Sequence, residues 1–230
     1  MQRPIQKPVG TRVEELDTPA LVLDLDTFED VASGFVDSEQ PARAEAWVHK
    51  TPAIAAKQLA LSGVVGIAVR SIAEAEVFAA AGFDDIRIMR GLVTVRSRQR
   101  AAALATTATL VFQPDRPLCG ADWFHDAVTV STRVVGVPEP GRAILDAGQK
   151  AVGRDFGDPV LLGHEDCTAS AGSAEHGIAL FPGPAAFAIG DWLQLVPADM
   201  ATVFALHDFV YAVRDGRLEA VWPVAARGAF

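Results

Sequence analysis

The sequence predicts an α/β plus β protein, an incomplete parallel β/α barrel of about five strands followed by a mostly antiparallel β domain. Two observations carry this. Between residues 18 and 113, short apolar runs alternate with stretches of helical period, as in a parallel sheet covered by helices. After Pro114 the alternation stops, and strand-like runs separated by Gly and Pro take over. Half of the 230 residues are hydrophobic and 21% are charged, which is ample for a folded core.

Taken in order, residues 18–26 (TPALVLDLD) read as a buried strand, and Asp26 with Glu29 supplies a helix-start signal after it. Residues 45–50 (EAWVHK) read as the second strand, 52–61 as a helix and 64–70 (VVGIAVR) as the third strand. Ser71 and Glu74 then form a capping box, and Gly82 stops the helix that follows. Residues 85–90 are the fourth strand, 97–107 a helix and 109–113 the fifth strand. From 115 to 126 turn residues show no clear period. Beyond them lie five strand-like stretches, with Arg214-Asp215-Gly216-Arg217 as a hairpin turn. The expected domains are 1–124 and 125–230.

A net charge of -9 and no basic run longer than two adjacent residues argue against a nucleic-acid partner, because such binders neutralise phosphates with clustered Lys and Arg. The N-terminus lacks the apolar segment of a signal peptide, and no apolar run approaches the roughly 18 residues a membrane span needs. The expectation is a cytoplasmic protein with no membrane contact, in which Cys119 and Cys167 stay unpaired.

Several blocks resemble one family, the fold-type III D-threonine aldolases and D-serine dehydratases, in which a PLP-binding alanine racemase-like barrel precedes a β domain. In the first half they are LDTPALVLDLD (16–26), HKTPAIAAKQLA (49–60) and AEAEVFAAAGFDDI (73–86). In the second half they are LDAGQKAVGRD (145–155), AEHG (174–177), GDWLQLVP (190–197), LHD (206–208) and VWPVAARG (221–228). The resemblance implies a lyase using PLP and a zinc or manganese ion. It also marks residues 125–230 as similar to the family's C-terminal domain.

Three departures run against that implication. The family motif R-P-H-x-K-T-H-K, whose first lysine forms the Schiff base, corresponds to residues 43–50, where Trp47 stands in the lysine's place. A Schiff base needs a primary amine, and indole has none. Read as part of a strand, Lys50 points away from the barrel interior. The metal motif P-x-H-x-C/D corresponds to residues 197–201, with Asp199 at the histidine and Ala201 at the second ligand. One carboxylate is not a transition-metal site. The count of strands also falls short of eight, so the loop that holds the PLP phosphate in relatives has no counterpart. No PLP and no metal ion are therefore expected, although His164, Asp166, Cys167 and His176 make a loose cluster in sequence that, with Asp199, offers a weak replacement metal site.

Arg70 and Arg90, at the ends of the third and fourth strands, are candidates for an anion site walled by Trp47, since parallel sheets gather ligands at those ends. The bland alternative pairs them with Glu45 and Glu74 or leaves them in solvent. Trp47 either stacks on a ligand or plugs the space of the lost cofactor, and aromatic residues mostly fill cores. Glu45 and His49 are the acid and base candidates if a remodelled pocket does PLP-independent chemistry. The leading expectation is a non-catalytic binding or assembly protein, a pseudoenzyme forming a homodimer or hetero-complex, because five strands leave open edges. The alternative is a lyase acting on small D-amino acids or 3-hydroxy amino acids, as the resemblance implies.

Overall fold

A computed structural model describes residues 7–34, 40–182 and 187–230. Contacts divide the chain into two units, Met1–Phe28 with Phe124–Trp222 and Glu29–Trp123 with Pro223–Phe230. The expected segments 1–124 and 125–230 therefore exchange their outer ends.

The first unit is built on a mostly antiparallel sheet. Strand β1 (Ala20–Asp24) is buried at its centre rather than in the parallel sheet, where the sequence reading placed it. A continuous apolar run reads the same in either kind of sheet, because both bury it on two faces. Every other described strand of this sheet comes from the second half of the chain. They are β7 (Val128–Glu139), β8 (Arg142–Leu145), β9 (Val160–Leu161), β10 (Thr168–Ser170), β11 (Gly177–Leu180), β12 (Trp192–Val196), β13 (Phe209–Arg214) and β14 (Arg217–Pro223), and β1 pairs antiparallel with β7 on one side and parallel with β13 on the other. Asp215 and Gly216 both take positive φ, 48° and 68°, and make the expected tight turn between β13 and β14. Two short helices, α6 (Gln149–Val152) and α7 (Met200–Leu206), complete this unit. Phe124 stacks on Phe28 and meets Phe204 edge to face, at centroid distances of 5.6 and 5.7 Å.

Helix α1 (Leu25–Ser33) leads from β1 into the second unit, its start capped by Asp24 Oδ1, which accepts from the Thr27 amide at 2.9 Å. That unit holds five parallel strands in the order β5-β4-β3-β2-β6. They are β2 (Ala42–Ala44), β3 (Val64–Val69), β4 (Asp85–Ile88), β5 (Thr109–Val111) and β6 (Leu118–Cys119). Their helices are α2 (Ala46–His49), α3 (Pro52–Leu59), α4 (Ile72–Ala80) and α5 (Val95–Leu104). The count of five is as expected, but its membership differs. Residues 45–50 form the turn of α2 instead of a strand, and β6 lies in the stretch that looked structureless. Two-residue β6 is too short to show any period, and a single helical turn is as easily read as alternation. Among the described residues no helix is long and apolar enough to cross a membrane.

One buried charge ties this sheet together. Arg43, on β2, is only 3% exposed, and its guanidinium reaches Asp85 Oδ1 at 2.8 Å and Asp115 Oδ2 at 2.7 Å. It crosses β3 at Gly66, where a Cβ would sit 2.3 Å from Arg43 Nη1 and 2.9 Å from the Asp85 carbonyl oxygen. The Gly66→Ala variant must displace the guanidinium or the neighbouring strand, so a loss of about 1–3 kcal/mol is expected from urea unfolding. A change below about 0.5 kcal/mol would show that the arginine does not need this gap.

Candidate functional site

The chain leaves β2 at Glu45, whose amide donates to the Cys119 carbonyl at 2.9 Å, and turns at once into α2. The Glu45 carboxylate is committed locally. Trp47 Nε1 donates to its Oε1 at 3.3 Å, and the Ala121 amide donates to its Oε2 at 3.2 Å. The Arg70 guanidinium lies over the Trp47 ring, 3.7 Å from the centroid, a cation–π stack. Trp47 and Arg70 are thus brought together as expected, while among the described residues no ion pair joins Arg70 or Arg90 to Glu45 or Glu74.

The turn ends at Lys50, which has φ 54° and donates from Nζ to the Trp47 carbonyl at 2.5 Å. Strand parity therefore does not set its direction, as the sequence reading assumed, because the backbone there is a turn of helix. The position where the resemblance leads one to expect a Schiff-base lysine holds an indole under a guanidinium, and the amine of Lys50 is hydrogen-bonded to backbone. These residues do not fit covalently held PLP.

His49 is fully buried. The Thr51 amide donates to its Nδ1 at 3.1 Å, which places the proton on Nε2, 3.0 Å from Gln58 Oε1. Burial drives its pKa down to about 3, so the ring is neutral. Gly120 packs on the same glutamine, and a Cβ there would lie 2.6 Å from Gln58 Nε2. Enclosed in this way, His49 is a packed histidine rather than a base facing a substrate. Glu74 is buried too, accepting from the Arg70 amide at 2.6 Å, and burial pushes its carboxyl above the ordinary range. Cys119, raised to about 11 by burial and by Glu45, is an inert thiol, and both cysteines are free.

The weak metal candidates are all in the first unit and do not converge. Asp199 caps α7, accepting from the Thr202 amide at 2.7 Å. The His164 ring packs edge-on against Phe187 at 5.0 Å, the Cys167 thiol contacts Asp166 at 3.6 Å, and exposed His176 donates its amide to Ser173 Oγ at 3.0 Å. Among the described residues no three or more His, Cys, Asp or Glu side chains could share a metal ion.

A cavity of about 390 Å³ in the first unit escaped the sequence reading. Its walls include Asp146, Lys150, Glu175, His207 and Tyr211. Asp146 is tied down by Thr18 Oγ1 at 2.5 Å and Thr132 Oγ1 at 2.7 Å, and Lys150 pairs with Glu175 at 2.8 Å. Burial, with the charge of Asp17, pushes the Tyr211 phenol up. The signal lay in the blocks around 145–155, 174–177 and 206–208, which look unrelated in sequence and meet only in the fold. Arg90 lines a second cavity, in the second unit, with Ser71 and two further arginines, Arg96 and Arg100, but with neither Trp47 nor Arg70.

Residues 127–213 match the family model described as a putative serine dehydratase domain. The chain is 39% identical over 106 residues to a D-threonine aldolase of Arthrobacter sp, 46% of this chain and 28% of that protein. It is 36% identical over 107 residues to a 3-hydroxy-D-aspartate aldolase of Paracoccus denitrificans, 46% of this chain and 27% of that one. The chain thus spans under a third of either relative. Among solved structures, D-threonine aldolase from Filomicrobium marinum superposes with a TM-score of 0.86 at 21% identity, covering 98% of this chain and 99% of that one, which establishes the shared fold.

Because His49 resists protonation when folded, its contribution to stability is complete above the unfolded pKa near 6.5 and is lost as pH falls toward about 3. Wild type is expected to lose up to about 1.4 kcal/mol more per pH unit across that window than a His49→Asn variant, measured by urea unfolding at each pH. Parallel profiles would mean that the ring protonates in the folded state.

Proposed function

Because the chain belongs to the D-threonine aldolase and D-serine dehydratase-like family, we propose that it is a member without PLP lyase activity, a binding or assembly protein with a pocket for a small anion. One observation carries the reading: at the position of the Schiff-base lysine, Trp47 stacks under Arg70 and hydrogen-bonds Glu45. No primary amine stands there to condense with an aldehyde. The use of Asp199 as a helix cap, with Ala201 beside it, supports the absence of the family's metal site. PLP-independent catalysis is less well supported, since Glu45 is engaged by Trp47 and Ala121 and His49 is enclosed.

A second reading, a lyase acting on small D-amino acids or 3-hydroxy amino acids, is favoured by the names of the two aldolases that the chain resembles. Purified protein separates the two. No visible absorption band that borohydride abolishes is expected, no stabilisation by added PLP, and no stoichiometric zinc or manganese by elemental analysis. A borohydride-sensitive band would establish the second reading.

The assembly role rests on β5 and β6, which form the two edges of the five-stranded sheet. Phe112 and Leu118, beside or within these strands, are 43% and 36% exposed. Open edges of a parallel sheet need covering, which a second copy or another chain in the cytoplasm would supply. Sedimentation analysis is expected to show self-association that rises with concentration, and a monodisperse monomer at the highest soluble concentration would count against it.

A further inference from the structure

The second cavity, about 230 Å³, opens where β3 and β4 end. Ser71 and Arg90, which line it, follow these strands by two residues, and the Arg90 amide donates to the Arg70 carbonyl at 3.0 Å, continuing the pairing beyond the strands. This is the side of a parallel sheet where ligands collect. Its wall is braced before any ligand arrives. Thr94 and Ser97 close a reciprocal capping box at the start of α5, and Arg98 Nη1 donates to the Leu92 carbonyl at 3.1 Å. Ser71 Oγ accepts from the Glu74 amide and donates to the Ala229 carbonyl. The hydroxyls and the helix start are therefore committed, and the cavity's open polar capacity lies in its arginines.

Arg100 grips Glu76 through two contacts, at 2.8 and 2.5 Å, and that hydrogen-bonded fork holds the Glu76 carboxyl below its ordinary range. Arg90 and Arg96 have no such partner: among the described residues no carboxylate lies within 4.0 Å of either. Arg96 acts on Glu76 only at longer range, so two guanidinium groups without a contacting carboxylate share one cavity in a chain with a net charge of -9. Solvated arginines alone would not need a cavity. This one also has apolar walls in Ile72, Leu92 and Val93, and Val93 is 82% exposed.

We propose that this cavity binds a small carboxylate with a short branched hydrocarbon tail, the carboxylate held by Arg90 and Arg96 and the tail packed on Ile72, Leu92 and Val93. Guanidinium forks match a carboxylate in geometry, and the volume falls below the roughly 300–1,000 Å³ of pockets for drug-sized ligands, so a nucleotide does not fit. This deepens the binding role proposed above by naming the residues and the ligand class. It does not involve Trp47.

The test is calorimetric titration of the full chain with 3-methylbutanoate, acetate and inorganic phosphate. Saturable one-to-one binding of 3-methylbutanoate is expected, weakened about tenfold or more by the Arg90→Gln, Arg96→Gln double substitution. Among the described residues neither arginine makes an ion pair, so thermal unfolding of this variant should match wild type. Arg116→Gln, an exposed arginine outside the cavity, should leave affinity unchanged. Acetate, which lacks the tail, should bind about tenfold or more weakly. No saturable heat, undiminished binding by the double variant, equal loss in Arg116→Gln, or tighter binding of phosphate than of 3-methylbutanoate would each overturn the proposal. A PLP chromophore would overturn the reading of lost lyase chemistry while leaving these titrations intact, and failed titrations would leave that reading in place.

Discussion

The parallel sheet depends on a single buried cation. Arg43 is almost wholly withdrawn from water, and a charge so placed is tolerable only where acids meet it. Asp85 opens β4 and Asp115 follows β5, so one side chain from β2 fixes both segments, passing β3 where only a glycine leaves room. Hydrogen bonding to this guanidinium holds the Asp115 carboxyl below its ordinary range. Strands of two to six residues carry few ladder hydrogen bonds, so a polar clamp across the sheet gives register where backbone pairing alone is short.

Just beyond that clamp, the side chains of α2 engage near neighbours. The Trp47 indole stacks against the Arg70 guanidinium and donates to the Glu45 carboxylate, and Lys50 turns its amine onto backbone. His49 and Glu74 are buried and shifted toward their neutral forms, which in many proteins marks an active site. Here each shift comes first from burial, and the hydrogen-bond partners are local: Gln58 and Thr51 for the histidine, the Arg70 and Ser71 segment for the glutamate. Perturbed ionisation in this unit therefore accompanies packing.

In the first unit Asp199 makes the same point with one residue. A carboxylate at the start of α7 accepts from a backbone amide two residues into the helix, an arrangement that Asp favours at any helix start and that needs no metal. The family blocks retained in this unit come together around Asp146, whose carboxylate ties β7 to the turn before β1 through Thr132 and Thr18. Their retention is explained at least as well by holding strands together as by chemistry.

The sequence by itself determined the two kinds of sheet, the presence of helices where it read 52–61, the stretch between Ser71 and Gly82, and 97–107, the turn at Asp215-Gly216 and the residue types Trp47 and Asp199 at positions that the resemblance marks. Each of these is a local matter: a period, a cap, a φ above zero or a residue type in a motif. Tertiary structure alone decided that β1 joins the antiparallel sheet, that residues 118–119 supply the fifth parallel strand, and that Arg43 is a clamp. It also decided that Arg70 turns onto Trp47 while Arg90 faces a separate cavity with Arg96 and Arg100. Pairing partners and side-chain direction at a strand end depend on residues distant in the chain, and neither leaves a periodic trace in sequence. Arg96 and Arg100 lie a single helical turn apart on α5, and the short connection from β4 to α5 sets Arg90 on the same cavity.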